Sequence, residues 1–82
     1  MRVKPVRISL SKYLSKHSLK NTFDKQVKLF AANPRHPSLN TERLEPKHLK
    51  IYSFRIDRKY RAIFVFLSAE DIEIIDINDH YR

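Results

Sequence analysis

The sequence predicts a small α+β domain of order β-α-α-β-β-β, with a twisted antiparallel sheet packed against a two-helix hairpin. Three observations predict it. Two successive stretches before residue 33 have helical apolar spacing, three strand-length apolar runs follow residue 50, and the links between those runs are short enough only for antiparallel hairpins.

The first element expected is a strand in "PVRISLS", residues 5–11, where Val6, Ile8 and Leu10 alternate with polar residues and Pro5 suits a strand start or edge. Ser9 or Ser11 can then cap a helix, on which Leu10, Tyr13, Leu14 and His17 share one face. Leu19, Phe23, Val27, Phe30 and Ala31 mark the second helix, with Asn21 and Asp24 spaced as an N-cap and Asn33-Pro34 as the stop. Residues 33–48 hold three of the four prolines and read as an ordered loop with one helical turn over 39–44. Then come "IYSFRID", "YRAIFVFL" and "IEIIDIN", rich in aromatic and β-branched residues.

Burial suggests the pairing. Opposing Ile56 to Ala62, Phe54 to Phe64 and Tyr52 to Phe66 gathers the aromatics on one face and leaves Arg55, Asp57 and Arg61 on the other. A four-residue link, 68–71, then opposes Leu67 to Ile72, Ile63 to Asp76 and Arg61 to Asn78. That register sets His80 diagonally beside Arg61. Both registers are expectations; pairing Ile56 with Arg61 would break them.

Composition bounds the function. The 82 residues suffice for one domain, 1–82, with a small core. Seventeen Lys and Arg against nine Asp and Glu give a formal charge of +8, which suits phosphate backbones, acidic protein segments or anionic surfaces. The charge is uneven: residues 1–20 carry six basic side chains and no acid, while five of the nine acids lie between Glu70 and Asp79. Without cysteine there is neither a disulfide nor a thiolate metal site, and without glycine there is no Gly-rich phosphate cradle. The four histidines lack metal-ligand spacing, so no metal or cofactor is expected. Nothing reads as a signal peptide or membrane span, and a cytoplasmic location is expected.

Paired arginines beside a histidine and a phenol suit metal-free cleavage of an RNA phosphodiester. A base takes the 2′-hydroxyl proton, an acid protonates the departing 5′-oxygen, and cations stabilise charge gathering on phosphorus. His80 fits acid or base, Arg55 and Arg61 fit the phosphate, and Tyr81 fits stacking or proton relay. The plainer reading gives strand arginines surface ion pairs, Asp57 the task of holding Arg61, and the terminal His-Tyr the task of covering a sheet edge.

The order "NPRHPSL", then "YSFRIDRKYRAIFVF", then "IEIIDINDHY" resembles the RelE/ParE superfamily of toxins from type II toxin–antitoxin systems, in particular its YoeB-like branch. The resemblance spans the chain from about Tyr13 to Tyr81. It implies two helices on an antiparallel sheet and ribosome-dependent mRNA cleavage by 2′-hydroxyl attack without metal. It further implies that Arg61 in "YR" is the phosphate-binding arginine, that Arg55 is a basic neighbour, and that His80 and Tyr81 are the terminal catalytic pair. Glu45, or Glu42 in the same loop, stands for the branch's assisting acid or base. Lys47 and Lys50, with Arg58 and Lys59, are the substrate-binding cations. The implied partners are an antitoxin with an extended acidic segment that covers the arginines, and mRNA on the ribosome; a homodimer is a further option and no membrane is involved. Two other functions compete: inhibition of DNA gyrase without cleavage, as in the ParE branch, and an inactive antitoxin-binding or nucleic-acid-binding module.

Overall fold

A computed structural model describes residues 1–79. The elements are β1 (Arg2–Val3), α1 (Ile8–Lys16), α2 (Lys20–Ala32), β2 (Glu42–Arg43), β3 (Tyr52–Arg55), β4 (Arg61–Phe66) and β5 (Asp71–Asn78), with 3₁₀ turns at Pro37–Leu39 and Lys47–Leu49. The α+β class, the helical hairpin and the three C-terminal strands are as expected. The sheet has five strands in the order β1-β5-β4-β3-β2 and is mixed, because β1 runs parallel to β5 while the other pairs are antiparallel.

The first strand lies earlier than the alternation of Val6, Ile8 and Leu10 suggests. The amides of Arg2 and Lys4 donate to the carbonyls of Glu70 (2.7 Å) and Ile72 (2.9 Å). Pro5 has no N–H to continue that ladder. From Ile8 the i, i+4 pair Leu10 and Leu14 takes over and both are buried in a helix, leaving Ile8 74% exposed. Neither Ser9 nor Ser11 caps it; Arg7 is the N-cap residue and makes no side-chain cap. The uneven charge now has an explanation. The basic N-terminus lies along the acidic last strand, with a bidentate Arg2–Asp71 pair (2.6 and 2.9 Å). The N-terminal ammonium sits 3.8 Å from Glu70, and Lys4 and Arg7 each lie 3.9 Å from Glu73. Hydrogen bonds from Arg2 and Ser68 hold the Asp71 carboxyl well below the usual carboxylate range.

Only residues 17–19 separate the helices. Ser18 adopts positive φ (56°) and the Leu19 amide donates to Leu14 O at 2.8 Å, so α2 starts at Lys20, ahead of Asn21. Asp24 pairs with Lys20 one turn back, at 3.2 Å. Asn33 ends the helix as expected. Phe30 stacks on Phe54 and meets Phe64 edge-on, each with 5.1 Å between ring centres. With Leu14, Phe23, Ile72 and Ile74 these rings form the core between helices and sheet, each side chain contributing about 1.5–3 kcal/mol. Buried Gln26 donates to the Arg55 carbonyl at 2.8 Å, tying α2 to β3.

The β3–β4 pairing differs from the expected one by two residues: Tyr52 opposes Phe64, Phe54 opposes Ala62 and Arg55 opposes Arg61. The cause is a tight turn. Asp57 Oδ1 accepts the amides of Lys59 (2.8 Å) and Tyr60 (2.7 Å), so the hairpin closes with Ile56 N–H donating to Tyr60 O at 2.9 Å. A shift of two keeps every side chain on its face. Between β4 and β5, Arg61–Asn78 and Ile63–Asp76 pair as expected, but a bulge at Ile75 makes Phe66, not Leu67, oppose Ile72. The bulge lets Ile72, Ile74 and Ile77 all reach the core. In the connecting segment the single turn expected over 39–44 is replaced by the two 3₁₀ turns flanking β2. Among the described residues no helix is long and apolar enough to cross a membrane.

Candidate functional site

Strand alternation sends Ser53, Arg55 and Arg61 to the sheet face opposite the core. Arg61 is only 4% exposed. Its Nε donates to Ser53 Oγ at 2.9 Å, and its Nη2 donates to the carbonyl of Asn40 and, at 3.5 Å, to that of Ser53. The Glu42 carboxylate lies 3.9 Å from Nη2. Burial lowers the guanidinium's pKa; Glu42 opposes the shift, and Arg55 across the strand pair adds to it. The group still carries its charge near neutral pH. The result is a fixed cation with an acid beside it and a second arginine opposite.

Asn40 and Glu42 reach Arg61 because the loop after α2 returns to the sheet as β2, where Glu42 pairs with Ser53. Asn40 takes a left-handed conformation (φ 43°) that turns the chain out of the 3₁₀ helix, and its carbonyl meets the arginine. Asp57, a candidate holder of Arg61, binds turn amides instead.

The expected substrate-binding cations fall in two places. Arg58 and Lys59 occupy the β3–β4 turn, where Lys59 lies 3.9 Å from Asp79. Lys47 and Lys50 bound the second 3₁₀ turn, which Arg43 braces by donating Nε and Nη2 to Lys47 O at 3.0 and 2.7 Å. Glu45 is exposed just before that turn, so Glu42 is the loop acid brought to Arg61. His80 and Tyr81 lie outside the described residues. Arg61 is paired with Asn78, two positions before His80.

A second cluster went unnoticed in the sequence. His17 does not join Leu10 and Leu14 on the buried face of α1 but lies exposed at its C-cap, with Nδ1 3.2 Å from Tyr60 Oη and its ring 4.2 Å from that of Tyr13. Burial, then Tyr60 and Asp79, push the Tyr13 phenol up. Ser53 and Asn40 were also missed. A small polar residue amid "YSFR" was the available signal, since it leaves room on the arginine face.

No protein-family model and no curated protein matches this sequence. Solved structures do. The chain resembles a YoeB/ParE toxin from Agrobacterium tumefaciens, with a TM-score of 0.71, 15% identity and coverage of 99% of this chain and 100% of that one. It also resembles the YoeB dimer from Staphylococcus aureus, with a TM-score of 0.70 and 19% identity over 98% of this chain and 94% of that one. A heterotetrameric YoeB-YefM toxin-antitoxin complex from the same organism matches at a TM-score of 0.68 and 19% identity, with coverage of 98% and 94%. This chain therefore has the fold of the YoeB/ParE toxins.

Proposed function

We propose that the chain, as a single domain over 1–82, is the toxin of a type II toxin–antitoxin system and cleaves mRNA on the ribosome. The observation that carries this reading is Arg61, a buried cation held by Ser53 and Asn40 with Glu42 at 3.9 Å and Arg55 opposite. Burying such a charge costs several kcal/mol, which a purely structural side chain would avoid.

In the proposed reaction the 2′-oxygen attacks the adjacent phosphorus and the 5′-oxygen leaves, giving a 2′,3′-cyclic phosphate and a 5′-hydroxyl. The base takes the 2′-hydroxyl proton, the acid returns a proton to the 5′-oxygen, and Arg61 with Arg55 stabilises the charge on the phosphate oxygens. His80 supplies acid or base chemistry and Tyr81 stacks on a base or relays the proton. Glu42 suits the assisting role better than Glu45, because its carboxylate is the one beside Arg61. Lys47, Lys50, Arg58 and Lys59 bind flanking phosphates.

An antitoxin with an acidic segment is the proposed partner, in line with the YoeB-YefM complex. A homodimer is the alternative assembly, in line with the YoeB dimer. The cytoplasm is the proposed location.

The test maps mRNA 5′ ends on translating ribosomes for the unaltered chain and for His80→Ala, Arg61→Met and Glu42→Gln. Codon-positioned cuts that disappear with His80→Ala and Arg61→Met support the nuclease. Growth arrest with DNA damage signalling and intact mRNA refutes it in favour of gyrase inhibition; no effect refutes it in favour of an inactive binding module.

A further inference from the structure

We propose that His36 is a positioning residue for Arg61: its neutral ring caps the turn whose following carbonyl binds the guanidinium. The proposal deepens the nuclease reading and rests on it for the reaction that Arg61 serves.

The segment "NPRHPSL", residues 33–39, supplies none of the site residues, and its hydrogen bonds show what it does instead. The Arg35 amide donates to the Asn33 side chain at 3.2 Å, and the His36 amide to the Asn33 carbonyl at 3.0 Å. His36 then accepts twice. The Ser38 amide donates to its ring Nδ1 and the Leu39 amide to its carbonyl, both at 3.1 Å. The Asn40 amide donates to the Pro37 carbonyl, and the Thr41 hydroxyl closes the loop on the Pro34 carbonyl at 3.0 Å. Pro34 and Pro37 have no amide to satisfy. Every amide from residue 35 to 40 is therefore bound inside the loop, and the one titratable acceptor among those partners is the His36 ring.

That bond fixes the state of the ring. A backbone amide can only donate, so Nδ1 carries a lone pair and the proton of the neutral ring sits on Nε2. Protonation at Nδ1 would set a donor against a donor. The surroundings add to the cost: Arg35 and the N-terminal Met1 line the same groove, Tyr52 is its other titratable side chain, and the Glu70 carboxylate lies 3.8 Å from the Met1 ammonium.

What the cap holds reaches the candidate site. Leu39, next after the capped Ser38, is fully buried and fixes the depth of the turn. The direction of the chain beyond it follows from the backbone angles that the cap holds. Asn40 comes next with φ 43°, and its carbonyl accepts from Arg61 Nη2. Buried Gln26 ties the same turn to the second arginine, donating to the Ser38 carbonyl at 3.5 Å and to that of Arg55 at 2.8 Å.

The test follows the Ser38 amide and the Arg61 Nε–Hε signal by NMR as the pH falls from about 8 to about 5, where histidines ordinarily gain charge. It uses the His80→Ala chain, so that the other ring proposed to act beside Arg61 contributes nothing, with and without His36→Asn. With His36 in place both signals should move together with the His36 ring; with His36→Asn, which caps without titrating, both should stay still. In the 5′-end mapping assay, on chains that keep His80, His36→Ala should cut at least about tenfold less than the unaltered protein and His36→Asn within about threefold of it. An Arg61 signal that ignores pH, or moves equally with His36→Asn, overturns the proposal, as does full cleavage by His36→Ala or equal loss in both variants. Should His36→Ala fail to fold, the titration still decides, because both of its chains start with the turn capped. Cleavage with an uncoupled Arg61 refutes only this inference, and coupled signals in a chain that never cuts refute only the nuclease reading.

Discussion

Replacing Arg61 by methionine should disturb the fold less than replacing its partner Ser53 by alanine. At 3.9 Å the Arg61–Glu42 attraction is roughly 4 kcal/mol at an effective dielectric of about 20. Glu42 is 45% exposed, and solvent screening brings that to about 1 kcal/mol. Against it stand a desolvation cost of several kcal/mol for the guanidinium and repulsion from Arg55. Arg61→Met removes the charge with its cost, keeps most of the stem volume, and leaves the Ser53 hydroxyl, the carbonyl of exposed Asn40 and the long contact to the Ser53 carbonyl without their donor. Its stability should fall within about 1 kcal/mol of the original, on either side. Ser53→Ala keeps the buried charge and strips Nε of its acceptor, which costs about 1.5–3 kcal/mol. Urea unfolding followed by far-UV circular dichroism at pH 7, with matching m-values, reads both numbers. A larger loss for Arg61→Met than for Ser53→Ala would refute the reasoning and make the arginine a net structural asset. If the reasoning holds, the methionine variant is a folded protein in which the proposed cleavage can be tested without the arginine's charge.

Deleting Ile75 removes the bulge and leaves Asp76 outward and Ile77 inward in plain alternation after Ile74, so a loss of no more than about 1 kcal/mol is expected by urea unfolding. Asp57→Ala frees the amides of Lys59 and Tyr60 and should cost about 1–2 kcal/mol by the same assay. The Asp71 carboxyl titrates below its unfolded value of 3.8, so its contribution is complete above that pH and disappears as pH falls through the folded value. Thermal melts should therefore show the gap between the unaltered protein and Asp71→Asn constant above about pH 5 and narrowing steadily from there down to about pH 2, where part of it remains. In the 5′-end mapping assay Glu42→Gln should reduce cleavage at least about tenfold while Glu45→Gln changes it less than about threefold.

The hairpins and helices were legible because their signals are local: aromatic and β-branched runs, i, i+4 leucines, an Asn-Pro stop. The first strand was not, since Arg2–Val3 is two residues long and its partners lie 69 positions away. Spacing alone cannot see such a pair. The hairpin register missed by two because it depends on a side chain, Asp57, choosing turn amides over an arginine. Of the site, Arg55 and Arg61 were legible as a pair on one face, and they are directly opposed. Glu42 stood only as the alternative to Glu45, and Ser53 and Asn40 were not singled out, because a loop must fold back as β2 before any of them meets Arg61.

The pairing of β1 with β5 also orders events during synthesis. Residues 2 and 3 leave the ribosome first and wait for residues 71 and 72 before their ladder can form. By contrast, the bonds that hold Arg61 span 8 residues to Ser53 and 21 to Asn40. Short loops close sooner than long ones. The nascent chain thus has the means to set its arginine well before its sheet is sealed, and for that interval its aromatic hairpin is available to any partner made alongside it.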